Sequence, residues 1–209
     1  MKEYLIPAGY GEIELVEKRS RFIGRVWQVS TEEEAGVHLS AIRAAHRDAN
    51  HNVYAYIIRE TGVIRYSDAG EPQGTAGLPV LNVFSKEEVT NLLCVVTRYF
   101  GGTLLGAGGL VRAYAQAAKM ALDAAGVSAV RMWQEVLLAC SYGQYERLSK
   151  VAADQGAVIE ATDFGADVTL TLLVPMMEAE AFCAHMIDVS AGTAVVERLG
   201  PREVPVRIR

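Results

Sequence analysis

Along residues 167–174, DVTLTLLV, apolar and polar positions alternate: Val168, Leu170, Leu172 and Val174 share one face, Thr169 and Thr171 the other. That period of two predicts a half-buried strand. Upstream, EVLLAC (135–140) and AVIEA (157–161) read as strands, the latter followed by a turn-rich TDFGA. Between them Tyr145, Leu148 and Ala152 recur at helical spacing, predicting a helix over 142–155. A second helix is predicted from about Met176 to Val189, with Ala179, Phe182, Cys183 and Met186 on its apolar stripe. A last strand follows Gly192 and alternates through Val204, Val206 and Ile208. The order β-α-β-β-α-β is the split-βαβ, ferredoxin-like arrangement.

The first 133 residues are also mixed. Strands are predicted at 11–18 and 21–29, joined by the short EKRSR segment. Residues 31–46 read as a helix capped by Ser30 or Thr31, with Glu32–Glu34 in its first turn and Ala35, Leu39, Ile42 and Ala45 on its apolar face. VYAYIIR (53–59) and VIRYS (63–67) predict a hairpin. The following SDAGEPQGTAGLP (67–79) holds three glycines and two prolines, which argues against a regular element. LLCVVTRYF (92–100) is a continuous apolar run, predicting a strand covered on both faces. A helix is predicted from about Gly109 to Ala125, with Leu110, Tyr114, Ala117, Ala118 and Ala121 inward. The change of topology near residue 133 divides the chain into 1–133 and 134–209, and the fold class is α+β.

Composition narrows the class little: 51% hydrophobic and 22% charged residues are ordinary for a globular chain. Cys94, Cys140 and Cys183 stand apart in apolar surroundings, so they read as buried thiols and not as a disulfide or zinc framework. No apolar run is long enough for a membrane helix, and no export signal is evident at the N-terminus, so the expected compartment is the cytoplasm. The net charge is −5. Residues 1–133 carry 14 basic and 14 acidic side chains, and residues 134–209 carry 6 and 11, so the excess is all C-terminal. A strongly basic nucleic-acid binder differs from this, although a local basic patch in the first part remains compatible.

Three segments could carry chemistry. RYFGGTLLGAGGLVRA (98–113) puts Gly101, Gly102, Gly106, Gly108 and Gly109 between a strand and a helix, where backbone amides bind anions. Gly106 is followed by Ala107–Gly108 and not by Lys-Ser/Thr, and a G-x-G-x-x-G register from Gly106 meets Val111 at its last position, so neither nucleotide signature is met. The glycines therefore serve either an anion or a tight turn with close packing. Arg98 and Arg112, with Arg19 and Arg21 upstream, are the cations that favour an anion. HRDANHNVYAY (46–56) offers His46 and His51, five residues apart across a helix end, with Asp48 the only nearby carboxylate. No metal set is complete there. His46 follows the apolar face and reads as a satisfied core group, whereas His51 leads into a strand beside Asn52. SDAGEPQGTAG (67–77) carries Asp68 and Glu71, which suit an acid–base pair assisted by His51; alternatively Asp68 supports the turn and Glu71 is solvated. No nucleophile and no cofactor are indicated.

KRSRFIG (18–24), HRDANHNVYAY, SDAGEPQGTAGLPVL (67–81) and VVTRYFGGTLLGAGGLVRAY (95–114), in this order, resemble the YigZ/IMPACT family in its bacterial two-domain form. Where the family has SDDGEP, this chain has Ala69 in place of the second acidic residue, which weakens any metal site built on adjacent aspartates. The resemblance implies a first domain similar to the second domain of ribosomal protein S5, and a second similar to a domain of elongation factor G. It implies a translation-associated regulatory module binding RNA phosphate or a ribosomal or translation-factor partner, as eukaryotic relatives regulate translation through protein contacts. The alternative is an enzyme acting on a phosphorylated small molecule held at the glycine-rich turn.

Overall fold

The computed structural model describes residues 3–209. It divides into a unit of Glu3–Val130 with Pro205–Arg209, and a unit spanning Arg131–Val204. No helix among the described residues is long and apolar enough to cross a membrane.

The N-terminal unit is built on an antiparallel sheet of β2 (Gly11–Glu17), β3 (Ser20–Gln28), β6 (Leu92–Tyr99), β4 (His51–Ile58) and β5 (Val63–Ser67), in the spatial order β2-β3-β6-β4-β5. Alternation along β6 explains its unbroken apolar run. Leu93 and Val95 pack with Ala35 and Leu39 of α1 (Glu32–Ala45). Leu92, Cys94 and Val96 pack on the other face with Val80 and Phe84 of α2 (Gly77–Lys86) and Leu110, Tyr114 and Ala117 of α3 (Ala107–Ala125). Both faces are thus covered by helices, as the run requires. Thr31 caps α1 by accepting the Glu34 N–H at 3.2 Å. α3 presses on β2 and β3 through small residues: a Cβ on Gly24 would lie 2.6 Å from the Ala117 carbonyl oxygen, and one on Gly11 2.3 Å from that of Ala121.

Two elements of this unit escaped the sequence pattern. β1 (Tyr4–Pro7) is four residues long and pairs antiparallel with residues 127–130 of β7 (Val127–Cys140). α2 begins inside the Gly-Pro-rich stretch that argued against regular structure. Pro79 is accommodated because it sits in the first helical turn, where its missing N–H has no intrahelical partner to lose.

In the C-terminal unit, residues 133–140 of β7 pair with β9 (Val168–Pro175), which pairs in turn with the edge strand β8 (Val158–Phe164); β10 (Val195–Arg207) pairs with β7. The β7–β9 and β8–β9 pairs are antiparallel, and the spatial order is β10-β7-β9-β8. With α4 (Tyr142–Asp154) and α5 (Ala179–Val189) this is the expected ferredoxin-like arrangement. Val168, Leu170, Leu172 and Val174 are buried against Leu148, Phe182 and Met186, as their alternation predicts. β8 differs from expectation by continuing through Thr162–Asp163–Phe164. Its ladder to β9 satisfies that backbone, and polar side chains are tolerated on an edge strand.

Candidate functional site

The ladder register assembles the site. Arg98 on β6 lies opposite Phe22 of β3 on one side and His51 of β4 on the other. All three therefore project to the face covered by α2 and α3. Arg98 is 5% exposed, a charge that can stay ionised there only if paired. Its partner is Glu71, in the loop before α2: Nη1 donates to Oε1 at 2.5 Å, with only 6% and 3% of the two side chains exposed. Tyr114 of α3 donates its hydroxyl to the same oxygen at 2.8 Å. Burial, and then the Glu71 charge, push the Tyr114 phenol well above its ordinary value, so it remains a donor. Nη2 donates to Ser20 Oγ at 3.4 Å, and the guanidinium carbon lies 5.4 Å from the Phe22 ring centroid and 5.5 Å from that of Phe100. Nε alone is buried with no hydrogen-bond partner.

His51 Nδ1 is 2.9 Å from the Ala69 carbonyl, which can only accept, so Nδ1 carries the proton. Nε2 lies 3.7 Å from Glu71 Oε1. Asp68 has a different task. Its carboxylate accepts backbone N–H groups from Gly74 at 2.9 Å, Ala76 at 3.1 Å and Gly77 at 2.8 Å, closing the loop and capping α2. Burial opposes its ionisation, but the three donors outweigh burial and hold the carboxyl below its ordinary value. The loop thus carries Glu71 inward on a frame fastened by Asp68, and Glu71 is no solvated surface carboxylate.

The five glycines divide by physical cause. A Cβ on Gly101 would lie 2.0 Å from the backbone of Arg19, so close approach excludes a side chain. Gly102 and Gly106 hold φ of +83° and +72°, the left-handed region that favours glycine. Gly109 has only Leu105 nearby, at 3.0 Å, and Gly108 faces open space. Gly106 is the N-cap of α3 and supplies no side-chain acceptor, so no side chain among the described residues caps that helix.

His51, Glu71, Arg98 and Gly106 come together around a cavity of about 400 Å³, completed mainly by Asn50, Pro72, Phe100, Leu104, Leu105, Ala107 and Leu110. None of its lining residues is a Ser, Thr, Cys or Lys nucleophile. Asp68, Gly101, Gly102, Gly108, Gly109, Arg19, Arg21 and Arg112 do not line it. Arg21 is paired with Glu14 at 2.8 Å, while Arg19 and Arg112 are exposed. Sequence reasoning missed Ser20, which accepts from both Arg98 and the Gly101 N–H, and Asn50, whose Oδ1 accepts the Phe100 N–H at 2.7 Å. Tyr114 had been read only as a core residue; a phenol on an otherwise apolar helix face was the available signal of a buried polar partner.

A second polar cluster occupies the α1 side of the sheet. Buried Arg25 donates to His46 Nε2 at 3.0 Å and to Thr97 Oγ1 at 3.2 Å. Since Arg25 can only donate, His46 carries its proton on Nδ1 and gives it to the Tyr99 hydroxyl at 2.8 Å, which donates to Asp48 at 3.2 Å. No group of His, Cys, Asp and Glu among the described residues could hold a metal ion.

These features define a two-domain α+β protein with a buried Arg–Glu pair at the floor of a small pocket in its first domain. Residues 18–122 match the Impact N-terminal domain, and residues 138–193 match a domain of unknown function, DUF1949. The chain is 34% identical to the IMPACT family member YvyE of Bacillus subtilis over 94% of its own length and 91% of that protein's. It is 33% identical to the IMPACT family member YigZ of Escherichia coli, covering 92% and 96% of the two chains. A crystal structure of a hypothetical protein, 32% identical, superposes with a TM-score of 0.60 over 96% of this chain and 98% of the other. The chain belongs to the IMPACT family.

Proposed function

We propose that the chain is a translation-associated regulatory module that docks on a protein of the ribosome or of its bound factors, using the Arg98 pocket and the apolar rim around it. Family membership, with the translational role that the resemblance to the family implies, supports the translation part of this reading. The kind of contact is argued from the site. Arg98 is neutralised by Glu71 and Arg21 by Glu14, so half of the four arginines expected to meet RNA phosphate already have acidic partners. The rim instead offers Leu104, 82% exposed, and Phe100, 44% exposed. Exposed large apolar side chains beside a pocket favour a protein partner over a phosphate backbone.

The observation that carries the reading is this exposed Leu104–Phe100 rim over a charge-compensated floor. Its test is co-sedimentation of the full chain with ribosomes and their bound factors from its own host. Leu104→Asp, an exposed substitution that leaves the core untouched, should abolish association while thermal unfolding is unchanged. Association undiminished in that variant would overturn the proposal. Loss of binding as a steep function of salt would reassign the partner to RNA. The enzyme reading has less support: Glu71 is held by Arg98 and Tyr114, Asp68 by three amides, and no Ser, Thr, Cys or Lys lines the pocket.

A further inference from the structure

The two polar clusters of the N-terminal unit stand on opposite faces of one sheet. On β6, Thr97 and Tyr99 belong to the Arg25 cluster, and Arg98 between them belongs to the pocket. One segment, residues 46–52, serves both. On the α1 side its two ends are locked in a closed ring of hydrogen bonds. Arg25 Nη1 donates to Thr97 Oγ1 at 3.2 Å, and Thr97 donates in turn to Asn52 Oδ1 at 2.9 Å. Asn52 Nδ2 donates to the His46 carbonyl at 3.4 Å, and Arg25 Nη2 closes the ring on His46 Nε2 at 3.0 Å. On the other face the middle of the segment forms a wall of the pocket. Asn50 donates its N–H to the Arg98 carbonyl at 3.0 Å and accepts the Phe100 N–H at 2.7 Å, while His51 Nδ1 holds the Ala69 carbonyl at 2.9 Å. Asn50, His51, Arg98 and Phe100 all line the cavity.

The ring has one link that a proton can break. A guanidinium only donates, so Arg25 closes on His46 only while Nε2 keeps its lone pair. A proton there sets N–H against N–H and adds a second positive charge beside an arginine that is 6% exposed. From this geometry we infer that the ring is a proton-operated clamp on the pocket: a proton on His46 Nε2 opens it and frees the segment that carries Asn50 and His51. The pocket wall is then ordered at neutral pH and loosens in acid. Five charged or titratable groups bear on His46. Arg25 and Arg21 of β3 oppose the proton, whereas Asp48 of the following loop and Glu12 of β2 favour it. Tyr99 of β6 accepts from Nδ1, and burial, then Asp48, keep its phenol protonated. Burial of the imidazole and the Arg25 charge outweigh the two carboxylates and hold His46 below the ordinary 6.5. Opening the clamp relieves both, so acid favours the open form. Each pH unit between the closed and open values is about a tenfold bias towards opening once pH is below both.

The test is NMR on the full chain without a partner, so it can fail while the docking reading stands, and the reverse. Across a titration from about pH 8 to about pH 5.5, the Asn50 and Phe100 amide shifts should follow the midpoint of the His46 ring signals. Protection of both amides, corrected for intrinsic exchange, should fall about fivefold or more over the same range. His46→Gln keeps an acceptor for Arg25 and does not titrate, so both responses should vanish. His51→Asn removes the other imidazole of the segment and should leave them in place. Should His46→Gln fail to fold, the His51→Asn titration decides, because His46 is then the one histidine left in residues 46–52. Asn50 and Phe100 amides that ignore pH, that still respond in His46→Gln, or that fall silent in His51→Asn would overturn the inference.

Discussion

Arg98 Nη1 and Glu71 Oε1 lie 2.5 Å apart, on residues 27 positions distant in sequence, and both side chains are almost wholly buried. Neither charge is tenable there alone. Arg98→Ala should therefore cost about 3–5 kcal/mol in equilibrium denaturant unfolding, because it strands the Glu71 carboxylate. The double variant Arg98→Met/Glu71→Gln should recover much of that loss. Additive losses in the double variant would mean that the pair is not coupled.

The glycines of the turn should separate under alanine substitution. Gly101→Ala forces a Cβ to within 2.0 Å of the Arg19 backbone and should destabilise the protein by several kcal/mol or prevent folding. Gly106→Ala, at φ +72°, should cost about 1–2 kcal/mol. Gly108→Ala meets nothing within 4 Å and sits in the first turn of α3, so it should be neutral or stabilising by up to about 1 kcal/mol. Thermal unfolding of the three single variants checks this order.

Asp68 should reveal itself through acid. Its folded carboxyl is held below the ordinary 3.8, so its contribution is fully present above that value and is lost as pH falls through the folded value. Asp68→Ala removes the acceptor for three amides and should cost about 1–2 kcal/mol at neutral pH. The gap between wild type and variant should close below pH 3.8, as read from urea midpoints along a pH series.

His46 should act at milder pH. Burial, and then the neighbouring Arg25 charge, lower its value below the ordinary 6.5, so the unfolded chain takes up the proton first as pH falls. The contribution is therefore fully present above 6.5 and is lost as pH drops through the folded value. The wild type should lose stability between neutral pH and pH 5.5 more steeply than His46→Gln. Parallel profiles would remove His46 from the account.

What the sequence made legible followed from periodicity. The alternation of β9 and the inward stripe of α3 each needed only local pattern, because burial of one face dictates it. α2 was lost because its cap, Asp68, stands eight residues before Ala76 and nine before Gly77, beyond the reach of local capping rules. The site was half visible. Glu71 and His51 stand out together in the sequence, as do Arg98 and Gly106, but only the strand register brings Arg98 beside His51. The buried pairing of Arg98 with Glu71 had no sequence signal, because nothing local distinguishes a loop carboxylate that turns inward from one that stays in water.

The most direct test of the account is to watch the pocket face while its partner binds. In amide and leucine-methyl NMR spectra of the full chain, a substoichiometric addition of ribosomes with their bound factors should broaden Phe100, Leu104, Leu105 and Gly106 selectively. Broadening centred on Arg19 and Arg112 with the pocket signals untouched, or confined to residues 131–204, would contradict it.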